Sequence, residues 1–111
     1  MNLFSIIKVH EKAFIDICVS HKVETLNAFG SSVTQYFDEE TSDIDLLITL
    51  NIIDPIEYGE ALLSIWDEFE LLFNRKVDLL SEDSITNLFL KNSIDANKKL
   101  IYDNKREKVF S

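Results

Sequence analysis

Three carboxylates sit where an ordinary half-buried strand would carry apolar side chains. Asp43 and Asp45 flank Ile44 at the head of the run Ile44-Asp-Leu-Leu-Ile. In an extended strand, residues two apart project from one face, with their Cα atoms roughly 7 Å apart. Asp78 lies in a second apolar run, between Val77 and Leu79. Three acids converging on one sheet face repel one another and raise their pKa values unless a cation joins them. Hard divalent ions such as Mg²⁺ use such an all-oxygen environment, and substrate phosphates complete the shell. A second group of residues, Phe29-Gly30-Ser31-Ser32, ends a strand and opens a helix. Gly30 permits close backbone approach or a positive φ, while Ser31 and Ser32 supply hydroxyls and backbone N–H groups. A helix N-terminus built this way favours an anion, phosphate above all. Phosphate cradle and carboxylates together suit nucleoside triphosphate chemistry. Either motif alone is weak, because a Gly-Ser turn and an acidic strand edge are both commonplace. The order strand, Gly-Ser, short helix, loop, Asp-x-Asp strand, helix, third-Asp strand is far more specific.

The elements that must hold these groups can be read from periodicity and punctuation. Leu3, Ile6, Ile7, His10, Phe14, Ile17 and Cys18 recur at helical spacing and predict an amphipathic helix over 3–21. Thr25 to Phe29 reads as a strand stopped by Gly30. Ser32 and Gln35 form a capping box for a short helix from about Ser32. Residues 38–42 are a polar loop, and Asp43 to Leu50 is the second strand. Asp54 as N-cap, Pro55 in the first helical position and Glu57 three residues after the cap begin a long helix. Its apolar side carries Leu62, Ile65, Trp66, Phe69 and Phe73. This side is expected to form a helix-to-sheet core, with a partner surface as the alternative. Val77 to Leu80 is the third strand, after the turn Asn74-Arg75-Lys76. Ser81 is then read as the cap of a helix through about Lys91, and a strand near Leu100 to Tyr102 closes the fold. Helices alternating with strands predict an α/β (α+β) domain, a small mixed sheet flanked by helices, over 1–103. The basic tail 104–111 has little to bury and is expected to be mobile.

Composition narrows the function classes. Of 111 residues, the 52 from Val23 to Asn74 include no Lys or Arg, yet hold 12 of the 20 acids. With a net charge of −9, the chain lacks the clustered cations of a nucleic-acid binder. Its 46% hydrophobic content excludes disorder. The lone cysteine, Cys18, cannot form an internal disulfide, which fits a reducing cytoplasm, and its apolar surroundings predict a core position. No run approaches the roughly 20 apolar residues of a membrane span, and the N-terminus lacks a basic signal region. His10 and His21 lack ligand spacing and are expected to pack or face solvent, as are Tyr36, Tyr58 and Tyr102, for which self-modification is the alternative.

The segment from Ala28 through Gly30-Ser31 and Asp43-Ile-Asp45 to Thr49 resembles the signature of the DNA polymerase β-like nucleotidyltransferases. More narrowly, it resembles their minimal (MNT) members. Arg75 to Leu80 resembles the third-Asp strand of that family and Ile94 to Tyr102 its C-terminal end, so the likeness covers about 20–103. The resemblance implies that Asp43 and Asp45 hold two Mg²⁺ ions. Asp78 would complete the metal site and help activate the attacking hydroxyl. Gly30, Ser31 and Ser32 would bind the triphosphate. It also implies AMP transfer from ATP, with release of pyrophosphate. The partner implied is a HEPN-type toxin, modified on a tyrosine, for which the MNT protein is the antitoxin in a hetero-oligomer. No acceptor-binding domain is evident, so the second substrate is expected on another chain. Two features depart from the pattern: 11 residues separate Ser31 from Asp43 instead of about ten, and Val33-Thr34-Gln35-Tyr36 lacks the usual cation. Phosphate binding would then rest on amides, hydroxyls, Mg²⁺, Arg75, Lys76 or a partner. Two alternatives stay open: an acidic module that neutralises a basic partner by contact with an idle site, and a nucleotide-binding subunit of another complex.

Overall fold

A computed structural model describes residues 3–34, 38 and 42–105, together with the backbone of 108–109. The N-terminal helical stretch is two helices, α1 (Leu3–Val9) and α2 (Glu11–Ser20), rather than one. The break falls at His10, whose ring meets Phe73 edge-on at 6.2 Å between centroids. α1 buries Leu3 and Ile7, and α2 buries Phe14 and Cys18. Lys22, at φ 59°, turns the chain into β1 (Val23–Ala28). A 3₁₀ turn follows at Gly30–Val33, then β2 (Ile44–Leu50), α3 (Pro55–Phe73) and β3 (Val77–Ser81). A second 3₁₀ turn (Glu82–Ser84) leads to α4 (Leu88–Asn97), β4 (Lys99–Asp103) and β5 (Lys108–Val109). The strand order is β3-β2-β1-β4-β5. β2 and β3 run parallel, as their connection by a helix requires, and the other pairs are antiparallel. This is the mixed sheet flanked by helices that the sequence predicts.

The core lies between one sheet face and the first three helices. Leu26, Ala28, Ile44, Leu46, Ile48, Val77 and Leu79 meet Phe14, Cys18, Ile65, Phe69 and Phe73 there. Phe14 stacks on Phe69 with centroids 5.2 Å apart. Burial pushes the Cys18 thiol far up, so it remains a neutral core group. The ends of α3 follow its punctuation. Asp54 accepts from the Glu57 N–H at 2.9 Å, and Asn74 ends the helix in the left-handed region at φ 51°. β3 lies at the edge of the sheet, and α3 covers part of that edge. The Trp66 indole N–H donates to the Val77 carbonyl (2.6 Å), and Glu70 accepts from the Val77 N–H (2.9 Å). Trp66 therefore serves the helix–sheet contact.

Two further expectations are corrected. Ser81 does not cap a helix; it completes β3, and its hydroxyl hydrogen-bonds the Tyr58 hydroxyl at 2.7 Å. α4 begins seven residues after Ser81, at Leu88, and Asn87 is its cap, accepting from the Phe89 and Leu90 N–H groups. The short helix expected from Ser32 is a 3₁₀ turn that already starts at Gly30, with no side-chain cap. Gln35 and Tyr36, on which the capping box and one tyrosine reading rested, lie outside the described residues. Within the tail, Lys108 and Val109 pair with Asp103 and Tyr102 as β5. Among the described residues, no helix is long and apolar enough to cross a membrane.

Candidate active site

Alternation along β2 sends Ile44, Leu46 and Ile48 into the core and leaves Asp45, Leu47 and Thr49 on the opposite face. The parallel register sets Asp45 directly against Asp78. Two carboxyl groups 33 positions apart in sequence thus become neighbours because α3 returns the chain parallel to β2. Asp43 immediately precedes β2, and the Ile44 N–H is held by the Lys76 carbonyl at 3.1 Å. Asp43 therefore faces the residue that immediately precedes β3: its Oδ2 is 3.9 Å from Lys76 Nζ. All three acids are half-buried.

Electrostatics bears on Asp45 in particular. Its carboxyl is pushed up to about 6, first by burial, then by the charge of Asp78 and by a side-chain hydrogen bond to it, then by the charge of Asp43. Lys76 opposes the rise. Burial and neighbouring negative charge both disfavour the ionised form of Asp45.

Gly30 closes the site from β1. It sits at φ +62°, and a Cβ built there would lie 2.8 Å from Asp45 Oδ2. Only glycine lets the backbone approach the carboxylate this closely. The loop is fixed to β2 by Ser32, a buried residue. Its hydroxyl accepts from the Asp45 N–H at 2.8 Å and donates to the Asp43 carbonyl at 3.5 Å. The Ser32 side chain thus latches the Gly-Ser turn to the Asp-x-Asp strand. Ser31 remains exposed, and its carbonyl accepts from the Thr34 N–H and hydroxyl, both at 3.1 Å. Of the two cations that follow α3, Arg75 donates to the Ser42 carbonyl at 3.2 Å and so holds the chain leading into β2. Lys76 is the cation beside the carboxylates. Sequence reasoning named both without distinguishing them; only the register does.

The donor set suits a hard divalent cation: carboxylate oxygens close together, with the Asp45 pKa raised by burial and by its acidic neighbours. Among the described residues, no three acidic, histidine or cysteine groups are gathered tightly enough to hold an ion as they stand. Asp45 and Asp78 form the assembled pair, and Asp43 stands beside them against Lys76.

A mixed sheet with helices on one face, a glycine turn pressed against an Asp-x-Asp strand and a third Asp in parallel register defines a nucleotidyltransferase-type fold. The family profile "Polymerase beta, Nucleotidyltransferase" matches residues 12–107, and the chain belongs to that family of nucleotidyltransferases. It is 34% identical over 97 residues to the candidate protein adenylyltransferase MJ1217 of Methanocaldococcus jannaschii, covering 87% of this chain and 90% of the relative. A second candidate protein adenylyltransferase of that organism, MJ0126, matches to the same extent. Among solved structures, a candidate minimal nucleotidyltransferase superposes with a TM-score of 0.62 at 22% identity, over 89% of this chain and 95% of that one. A chain from a toxin–antitoxin structure with AMP-PNP gives 0.62 at 18% identity, over 86% and 75%. A chain from the tri-AMPylated Shewanella oneidensis HEPN toxin in complex with MNT antitoxin gives 0.53 at 18%, over 86% and 71%. At these identities the likeness to solved structures speaks to the fold.

Proposed function

We propose that this protein transfers AMP from ATP to a hydroxyl, a tyrosine, of a HEPN-type toxin and thereby acts as its antitoxin. The observation that carries the reading is the in-register pair Asp45 and Asp78 beside a glycine that touches it. The names of the M. jannaschii relatives support protein adenylylation. Two similarly folded chains come from structures containing AMP-PNP and an AMPylated HEPN toxin, which supports the nucleotide and the partner.

Each side chain has a role in this chemistry. Gly30 and Ser31 hold the β- and γ-phosphates through backbone N–H groups and the Ser31 hydroxyl. Ser32 keeps that turn in fixed relation to β2. Asp45 and Asp78, completed by Asp43, would hold Mg²⁺. When bound, Mg²⁺ polarises the α-phosphate and offsets charge on the attacking and leaving oxygens. Asp78 takes the proton of the acceptor hydroxyl. The hydroxyl oxygen bonds to the α-phosphorus while the bond from that phosphorus to its bridging oxygen breaks, and pyrophosphate leaves with the electron pair. Lys76, just before β3, sets a positive charge beside Asp43 and moderates the carboxylates.

The test is incubation with ATP labelled at the α-phosphate, Mg²⁺ and the HEPN-like protein encoded beside it. Label is expected on the partner and is lost with Asp43→Ala/Asp45→Ala. Absence of transfer by the unaltered protein, with full neutralisation by the double variant, overturns the reading in favour of a contact antitoxin.

A further inference from the structure

Between the Gly30–Val33 turn and α4 lies a cleft of about 300 Å³, at the small end of the range for small-molecule sites. Leu90, Ser93, Ile94 and Asn97 form one wall. They recur at intervals of three and four residues, so one side of α4 presents them together. Phe29 and Thr34 face them, and Gly30 belongs to the same lining. Gly30 is also the residue pressed against Asp45 Oδ2. The cleft therefore begins one residue's width from the reacting carboxylates. A larger cavity, about 530 Å³ between α3 and β3, is lined by Tyr58, Leu62 and Leu79 and includes neither Gly30 nor any of the three carboxylates.

We propose that this cleft receives the nucleoside end of the donor nucleotide and that Asn97 selects adenine there. The inference rests on the nucleotidyltransferase reading above and specifies where the base lies. The lining has the chemistry of a nucleoside site. Phe29 offers a half-buried aromatic ring, on which a base can stack. Leu90 and Ile94 offer apolar surface, while Ser93 and Asn97 are polar and exposed. One Asn97 Nδ2 hydrogen is donated to the Ser93 carbonyl at 3.1 Å, which fixes the plane of the amide. An amide has one further N–H and a carbonyl oxygen. That donor–acceptor pair complements the N7 acceptor and N6 donor of adenine, whereas guanine offers two acceptors on the same edge.

Calorimetry of the full chain with Mg²⁺ and, in turn, ATP, GTP and inorganic tripolyphosphate tests this. ATP is expected to bind about 10-fold more tightly than GTP, and Asn97→Ala to bring the two together. Ser93→Trp, an exposed position whose larger side chain fills the cleft, is expected to weaken ATP by about 10-fold or more and leave tripolyphosphate unchanged. Should the tryptophan variant fail to fold, Asn97→Ala decides alone. ATP binding unchanged in both variants overturns the proposal, including the case where transfer is lost, which would assign the cleft to the acceptor; the nucleotidyltransferase reading then stands. If the unaltered protein binds none of the three ligands, that reading falls, and this one with it.

Discussion

Replacing Asp45 by Asn should stabilise the metal-free protein while abolishing its chemistry. The Asp45 carboxyl is pushed up to about 6 from an ordinary value near 3.9. For a group shut away from water, a displacement of that size would cost the fold about 3 kcal/mol on ionisation. Asp45 is only half-buried, and solvent screening reduces this to roughly 1 kcal/mol. The sign follows from proton counting. Between about pH 4 and 6 the folded chain binds more protons at this position than the unfolded chain, so stability falls as pH rises through that window. The penalty is absent below about pH 4 and complete above about pH 6. An Asn side chain keeps the shape and can still donate to Asp78, as the protonated carboxyl does, but carries no charge. Backbone contacts of residue 45 with Ser32 and Phe29 do not involve the altered atoms. At pH 7.5 with a chelator present, Asp45→Asn should therefore gain roughly 1 kcal/mol in urea denaturation, or about 4 °C in Tm. At pH 4 the two proteins should coincide. A variant less stable at pH 7.5, or a difference that does not change with pH, would refute the claim that repulsion and burial strain this carboxylate.

Gly30→Ala combines a positive φ with a Cβ 2.8 Å from Asp45 Oδ2. It should cost about 1–2 kcal/mol in denaturation midpoints and remove transfer activity. Ser32→Ala withdraws the acceptor from the Asp45 N–H and should cost about 1–2 kcal/mol, whereas exposed Ser31→Ala should leave stability unchanged and weaken triphosphate binding in calorimetry. Lys76→Gln should lower ATP affinity roughly 5-fold, with the loss shrinking at high salt. Phe69→Ala, in the stack with Phe14, should cost about 3–5 kcal/mol in chemical denaturation.

Legibility followed the range over which each signal acts. The start of α3 was written within four residues, Asp54 to Glu57, and the alternation of β2 within eight; both emerged as read. Ser81 carried a local cap signal too, but a longer-range demand won. The strand needed one more residue to pair with Ile48, and the Ser81 hydroxyl met Tyr58 of α3. The Ser32 hydroxyl has a partner that the sequence did not announce. A serine after Gly-Ser looks free to bind a phosphate, yet its partner is the Asp45 N–H thirteen residues on, across a loop. No local pattern encodes that distance. His10 fitted a continuous helical stripe, and nothing in its neighbours announced that the chain would turn there toward Phe73.

The stretch without Lys or Arg acquires its meaning from topology. Along the chain, Val23 to Asn74 separates every base from the Gly-Ser turn and the Asp-x-Asp pair. In space, the parallel return through α3 sets Ile44 beside Val77, and so brings Lys76 against Asp43 two residues after the stretch ends. A cation missing from a linear motif is thus not missing from the surface that the motif builds. Its position also limits what it can do. From the start of β3, Lys76 moderates the charge of the carboxylates and lowers the Asp45 pKa, whereas a base within the Gly30–Val33 turn would lie on the phosphate side. Under the proposed function, the triphosphate would then rest on backbone N–H groups and Ser31. Affinity should therefore depend more steeply on the divalent ion than in family members whose turn carries an Arg or Lys. Titrating ATP at increasing Mg²⁺ concentration measures that dependence directly.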